Sequence, residues 1–158
     1  MRGWFAYELY DRMAKDARIW VVTADLGYGM LDAIKSQYPS RFINTGAAEQ
    51  AAMGIAVGLA ETGKIPFFYS ITPFALYRPA EIIRNYIDHE DIAVRIVGGG
   101  RDRDYSHDGF SHWADDAASF LALFPNITQY WPKDKESIPR MVDAMVTRNE
   151  PSFISLKR

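Results

Sequence analysis

A chain of 158 residues, 48% hydrophobic and 24% charged, has the length and balance of one globular domain, of a size that buries about two-thirds of its unfolded surface. The net charge of −2, with no basic stripe, argues against nucleic acid as a main partner, and the absence of cysteine removes disulfides and thiolate chemistry. The segment Met1-Arg2-Gly3-Trp4 carries no secretory apolar core, and no apolar run approaches the roughly 20 residues of a membrane span, so a cytoplasmic location without a membrane partner is expected.

In chain order, a helix is predicted near 4–15, followed by a buried strand at Arg18–Thr23 (RIWVVT). A helix near 30–37 leads to a long one at 48–62, then a strand at Pro66–Ile71 (PFFYSI) and a helix over 74–88. Ile92–Val97 reads as a strand, 113–124 as a helix, Ile127–Trp131 as a weaker strand, 134–148 as a helix and Ser152–Leu156 as the last strand. Strands alternating with helices predict a three-layer α/β/α domain, residues 1–158, with a mostly parallel sheet covered on both faces. Ligands bind such sheets at the carboxyl ends of the strands. There the chain places Ala24–Gly29, Thr72-Pro73-Phe74 and the loop-like run Gly98–Asp102. Nine Phe, nine Tyr and four Trp make 14% of the chain, a surplus that suits a ligand cleft or a subunit interface as well as a core.

Glu49 is the only acid in a small and apolar run that continues to Ala60. At the start of a helix it is either a surface residue favoured by the macrodipole or a carboxyl held in a dry cleft. Gly54 and Gly58, with Ala at 47, 48, 51, 52, 56 and 60, leave little solvated face, so the helix is expected to be buried all round. Desolvation favours the protonated form of a carboxyl placed there, which suits a proton donor or relay.

Ile71, Phe74 and Tyr77 recur at three-residue spacing and form either a core stripe or a platform for a flat heteroaromatic ring. Tyr105-Ser106-His107-Asp108-Gly109-Phe110-Ser111-His112 is either a solvated turn or a set of polar groups that grips substrate hydroxyls. His107 and His112 lack a third ligand nearby, and no metal site is expected on this chain. Gly98-Gly99-Gly100 is neither a dinucleotide fingerprint nor a phosphate loop. Arg101 and Arg103, interleaved with Asp102 and Asp104, read as a self-compensated exposed loop, and His89 as a surface residue. Arg158 is either a frayed terminal residue or, at a carboxyl strand end, a cleft residue.

Taken together these residues are recognisable. R-F-I-N-T-G-A-A-E-Q-A-A-M-G-I-A-V-G-L-A resembles the R-F-x-N-x-G-I-A-E-Q-x-M-x-G-I-A-x-G-L-A of the pyrimidine-binding (Pyr) domain of transketolase-type thiamine diphosphate enzymes. Ala24-Asp25-Leu26, His107-Asp108-Gly109-Phe110-Ser111-His112, Phe124-Pro125-Asn126-Ile127, Trp131-Pro132-Lys133-Asp134 and Ile154–Arg158 are similar to further motifs of that family, in order. The nearest likeness is to the small subunit of a split transketolase. The resemblance implies that Glu49 hydrogen-bonds a ring nitrogen of the cofactor's aminopyrimidine and so promotes loss of the thiazolium proton. Phe74 and Tyr77 fall on aromatic positions that hold this ring, with Ile71 replacing a usual Phe. Asp108, His112 and His107 fall among positions that meet substrate hydroxyls or the neighbouring subunit, Arg158 on the end of the final strand, and Asp25 on an acid at the subunit interface near the cofactor. The implied reaction transfers a ketol or acyl unit from a ketose or 2-oxo acid donor to an aldehyde. A 2-oxo acid decarboxylase or dehydrogenase small subunit and a non-catalytic scaffold are the alternatives.

Departures from the family pattern shape the expectation. The G-D-G…N motif for diphosphate and Mg2+ is absent, so these are expected to be bound through a partner subunit with the diphosphate-binding (PP) domain, in a heterotetramer. A C-terminal third domain is also missing from the sequence. Gly100 stands where transketolases carry a phosphate-contacting His, Gly27–Gly29 replaces a Ser-bearing loop, and His107 replaces a Glu.

Overall fold

The computed structural model describes residues 1–158. Six strands form one parallel sheet: β1 (Ile19–Thr23), β2 (Phe42–Asn44), β3 (Ile65–Ile71), β4 (Arg95–Gly99), β5 (Thr128–Tyr130) and β6 (Ser152–Leu156). Their order is β2-β1-β3-β4-β6-β5. The central strands are buried on both faces, which is why they read as continuous apolar runs instead of alternating ones.

Helices α1 (Arg2–Lys15), α2 (Asp32–Gln37) and α7 (Ile138–Thr147) cover one face. Phe5, Leu9, Met13, Ile34, Val142 and Met145 pack there on Val21, Phe67, Val97 and Ile154. Helices α3 (Glu49–Glu61), α4 (Thr72–Tyr77), α5 (Ala80–Ile82) and α6 (Ala117–Leu121) cover the other, with Met53, Val57, Leu76 and Leu121 against Val22, Phe68, Ile96 and Phe153. The β1–β2 connection passes over the first face and the β2–β3 connection over the second. Reversing direction in the sheet while keeping right-handed crossovers requires that change of face. All six carboxyl strand ends therefore share one edge, and the reversal at β1 opens a crevice there.

Several boundaries differ from the predicted ones. The three-residue β2 is too short to leave a pattern in the sequence. The helix predicted over 74–88 is broken into α4, α5 and a π-helical segment, Ile83–His89, because Pro79 interrupts the helical hydrogen bonding. The last strand-to-strand helices are shorter than predicted, α6 starting at Ala117 and α7 at Ile138.

The strand expected at Ile92–Val97 lies at Arg95–Gly99, so Gly98 and Gly99 belong to the strand's carboxyl end and not to the loop. Close packing explains both glycines. A Cβ on Gly98 would stand 2.5 Å from Thr72 Oγ1, and one on Gly99 2.6 Å from the Tyr69 hydroxyl. Nor is α3 buried all round: Glu49, Ala52, Met53, Ala56 and Val57 face the core, while Ala51, Gly54, Ile55 and Gly58 are exposed. A helix lying on a sheet is covered on one side only, and no element of this chain packs over its back.

Candidate active site

Glu49 reaches the carboxyl edge of the sheet through a tight turn after β2. Asn44 Oδ1 accepts the N–H groups of Asp25 and Gly46, both at 3.0 Å, and Thr45 N donates to Thr23 O at 3.0 Å. Gly46 takes the left-handed φ of +69° that lets the chain turn into α3. Glu49 is the first residue of that helix, where the unpaired backbone N–H groups favour a negative charge. It is 3% exposed. Its Oε2 accepts a 2.6 Å hydrogen bond from Nη1 of Arg78, so the carboxylate is paired and not isolated.

Arg78 follows α4, four residues after Phe74, and its guanidinium carbon lies 3.7 Å from the Phe74 ring centroid. The His112 ring meets Phe74 edge-on at 4.9 Å. Glu49, Phe74, Arg78 and His112 are thereby gathered from α3, α4 and the loop after β4 into one cluster. Ile71, Phe74 and Tyr77 are half-buried along a single side, whereas Thr72, Pro73, Ala75 and Leu76 form the core side of α4. They are not a core stripe.

The Tyr77 hydroxyl donates to Asp116 Oδ1 at 2.5 Å, and its ring stacks edge-on against Phe120 at 5.0 Å. Burial, then the bond to Asp116, raises the phenol well above the usual tyrosine range. A cavity of about 360 Å³ beside it is lined by Tyr77, Phe110, Ser111, Trp113, Asp115 and Asp116. His107 and Asp108 are both exposed on the preceding turn, with Nε2 and Oδ2 3.3 Å apart, and His112 Nδ1 lies 3.0 Å from Ser111 Oγ. No group of three or more His, Cys, Asp and Glu side chains is placed to hold a metal ion.

A second group of predicted residues lies apart from the Glu49 cluster. Asp25, at a left-handed φ of 53°, accepts the Tyr28 hydroxyl. Arg158 is not frayed, since its N–H donates to Asp104 Oδ2 at 2.8 Å and its guanidinium lies 5.3 Å from the Tyr105 ring centroid. Arg2 Nη1 donates to the Tyr105 hydroxyl at 2.7 Å. Arg2, Tyr28, Tyr69, Tyr105 and Arg158 are among the residues lining a cavity of about 370 Å³. The Tyr105 ring occupies the space a side chain at Gly100 would need, 2.5 Å from its ideal Cβ to Tyr105 Cδ2, and Gly100 has a φ of +87°. Burial raises the Tyr69 phenol at the floor of this cavity, an effect Arg2 opposes.

The loop arginines are not self-compensated. Arg101 reaches across to Ser155 Oγ at 3.0 Å and Pro132 O at 2.9 Å, and Arg103 pairs with Asp115 at 2.7 Å. They tie the long loop to β6 and to the turn before α6, leaving Asp104 free to accept from the Arg101 and Arg158 backbones. Sequence reasoning missed Arg78, Asp116 and Arg2. For Arg78 a signal existed, the i, i+4 spacing from Phe74 in a helix. The other two meet their partners across long sequence separations that no local pattern reports.

The family model of the transketolase pyrimidine-binding domain matches residues 1–158, and the chain belongs to that family. A putative transketolase C-terminal section from Methanocaldococcus jannaschii is 31% identical over 159 residues, covering 100% of this chain and 50% of that protein. The 6-deoxy-6-sulfo-D-fructose transketolase subunit SqwH of Clostridium sp. strain MSTE9 is 29% identical, covering 100% of this chain and 49% of its own length. This chain thus spans about half the length of these relatives. A split-gene transketolase, solved as an inactive beta4 tetramer, superposes with a TM-score of 0.87 at 30% identity, over 99% of this chain and 51% of that one. The three-layer α/β fold is that of transketolase Pyr domains, and the relatives are subunits or sections of split transketolases.

Proposed function

We propose that this chain is the Pyr-domain subunit of a heteromeric, thiamine diphosphate-dependent transketolase-like enzyme. The convergence of the Glu49 carboxylate and the Phe74 ring face on one planar group supports this reading most directly. A planar cation, the Arg78 guanidinium, sits there in the structure, and a protonatable aminopyrimidine has the same shape and polarity. The residues present fit that ring. The family's G-D-G…N motif is absent from these residues, so the reading assigns the diphosphate and Mg2+ to a PP-domain partner, with two chains of each kind in the assembly.

When bound, thiamine diphosphate supplies the electron sink that lets a carbon–carbon bond beside a ketone break. Glu49 would hold a proton at the aminopyrimidine ring nitrogen from a site shielded from water. Phe74 and Ile71 would support the ring, and Tyr77, fixed by Asp116, would flank it. Asp108, His107 and His112 present an acceptor and imidazoles to the hydroxyls of the ketose donor or aldehyde acceptor. Asp25 follows the carboxyl end of β1, where it would meet the partner subunit. Arg2 and Arg158, flanking Tyr105, suit an anionic far end of the sugar. The relative from Clostridium is a 6-deoxy-6-sulfo-D-fructose transketolase subunit, and another relative, 28% identical, is an apulose-4-phosphate transketolase subunit from Phocaeicola vulgatus.

Glu49→Gln in the complex with the PP-domain partner tests the reading. Turnover of ketose donors with aldehyde acceptors should fall by about 10²-fold or more, the usual size of a lost acid–base contribution, with the assembly intact by sedimentation. Unchanged turnover would remove Glu49 from the mechanism.

A further inference from the structure

Arg78 has only one hydrogen-bonding partner, Glu49, and lies on only one ring, Phe74. Both are the groups assigned above to the aminopyrimidine. A ring-to-guanidinium distance of 3.7 Å is a full stacking contact, so a second planar group cannot share that face of Phe74 while Arg78 remains. The 2.6 Å bond from Arg78 likewise engages Glu49 Oε2. Arg78 therefore covers the two surfaces the cofactor's ring would need.

We propose that Arg78 is a place-holder for the aminopyrimidine, occupying its position in the free chain and leaving when the ring binds. The proposal rests on the reading that this ring binds to Glu49 and Phe74. Two features make the exchange physically reasonable. Glu49 is 3% exposed, and a carboxylate so buried requires a donor at all times. The guanidinium supplies the donor in the free chain, and the ring nitrogen or amino group supplies it afterwards. The Arg78 side chain is 45% exposed and sits where α4 ends, ahead of Pro79, with no other tie to the protein. Its long stem can carry the charged head into water once it is displaced. The device keeps Glu49 and the Phe74 face in a binding geometry before the cofactor arrives, at a cost in affinity equal to that of displacing Arg78.

The test uses the 158-residue chain and thiamine, which carries the aminopyrimidine without the diphosphate, in an NMR titration of the wild type, Arg78→Met and Arg78→Gln. Circular dichroism establishes which variants are folded, and Arg78→Gln keeps a donor for Glu49 should the Met variant unfold. The folded variant should bind thiamine about tenfold more tightly than the wild type, a population effect of releasing an occupied site. Binding that is equal, weaker or undetectable in the variant overturns the proposal. A parallel Glu49→Gln titration separates the two readings. If Glu49→Gln weakens binding while the Arg78 variants match the wild type, only the place-holder fails. If Glu49→Gln binds as the wild type does, the assignment of Glu49 to the ring fails with it.

Discussion

Tyr77 shows how a single side chain can be both part of a site and part of its support. Its ring leans on Phe120 and its hydroxyl is committed to Asp116, so it presents a fixed edge to the cleft and not a rotating phenol. Tyr77→Phe should lower stability by about 1 kcal/mol in urea unfolding, the net value of such a hydrogen bond near the surface. Combining it with Asp116→Asn should cost little more than either change alone, because both remove the same interaction. Additive losses would show that the two residues act separately. At Glu49 the decisive feature is pairing. Glu49 is buried as one of the two sequence readings expected, though on one face of α3 and not in a helix buried all round, and its partner was not legible, since Arg78 lies 29 positions away and approaches from another element.

Elements carry the site by their ends. The first residue of α3 is Glu49, the last turn of α4 holds Phe74 and Tyr77, and the loop leaving β4 brings Asp108 and His112. The junction of β4 with α4 is the tightest of these contacts. Thr72 Oγ1 donates to Gly100 O at 2.5 Å, and the backbone at Gly98 must approach closely for that bond to form. Gly98→Ala should therefore destabilise the chain by about 2 kcal/mol, as overpacking a filled core does, read from the urea midpoint. A neutral result would mean that α4 can move away from the sheet freely. Arg95 holds the opposite end of β4. It is 2% exposed, bonds the carbonyls of Ala93, Met145 and Arg148 in place of any carboxylate, and burial pulls its pKa down to about 10, still charged at neutral pH. The strand is thus pinned at both ends, with the site at one of them.

At the scale of the whole molecule, one edge of the sheet collects the predicted chemistry, and the proposed function assigns this chain only the ring-binding half of a cofactor site. Thiamine diphosphate with Mg2+ should bind the chain alone only weakly in calorimetry, through its ring, and tightly once the PP-domain partner is added. Tight binding to the chain alone would overturn the division of the site between subunits. The sequence by itself determined the three-layer parallel fold, the family and the sheet edge where the candidate residues gather, because apolar runs, turn residues and the motif around Glu49 are local patterns that survive without contacts. Only the tertiary structure decided that α3 keeps a bare face, that Pro79 breaks the long helix, and that Gly98 and Gly99 belong to a strand. Only it brought Arg78 onto Glu49 and Tyr105 over Gly100. Except at Pro79, whose missing N–H is a local property, those outcomes depend on which side chains the folded backbone brings together, and that is set by the packing of layers and not by the spacing of residues along the chain.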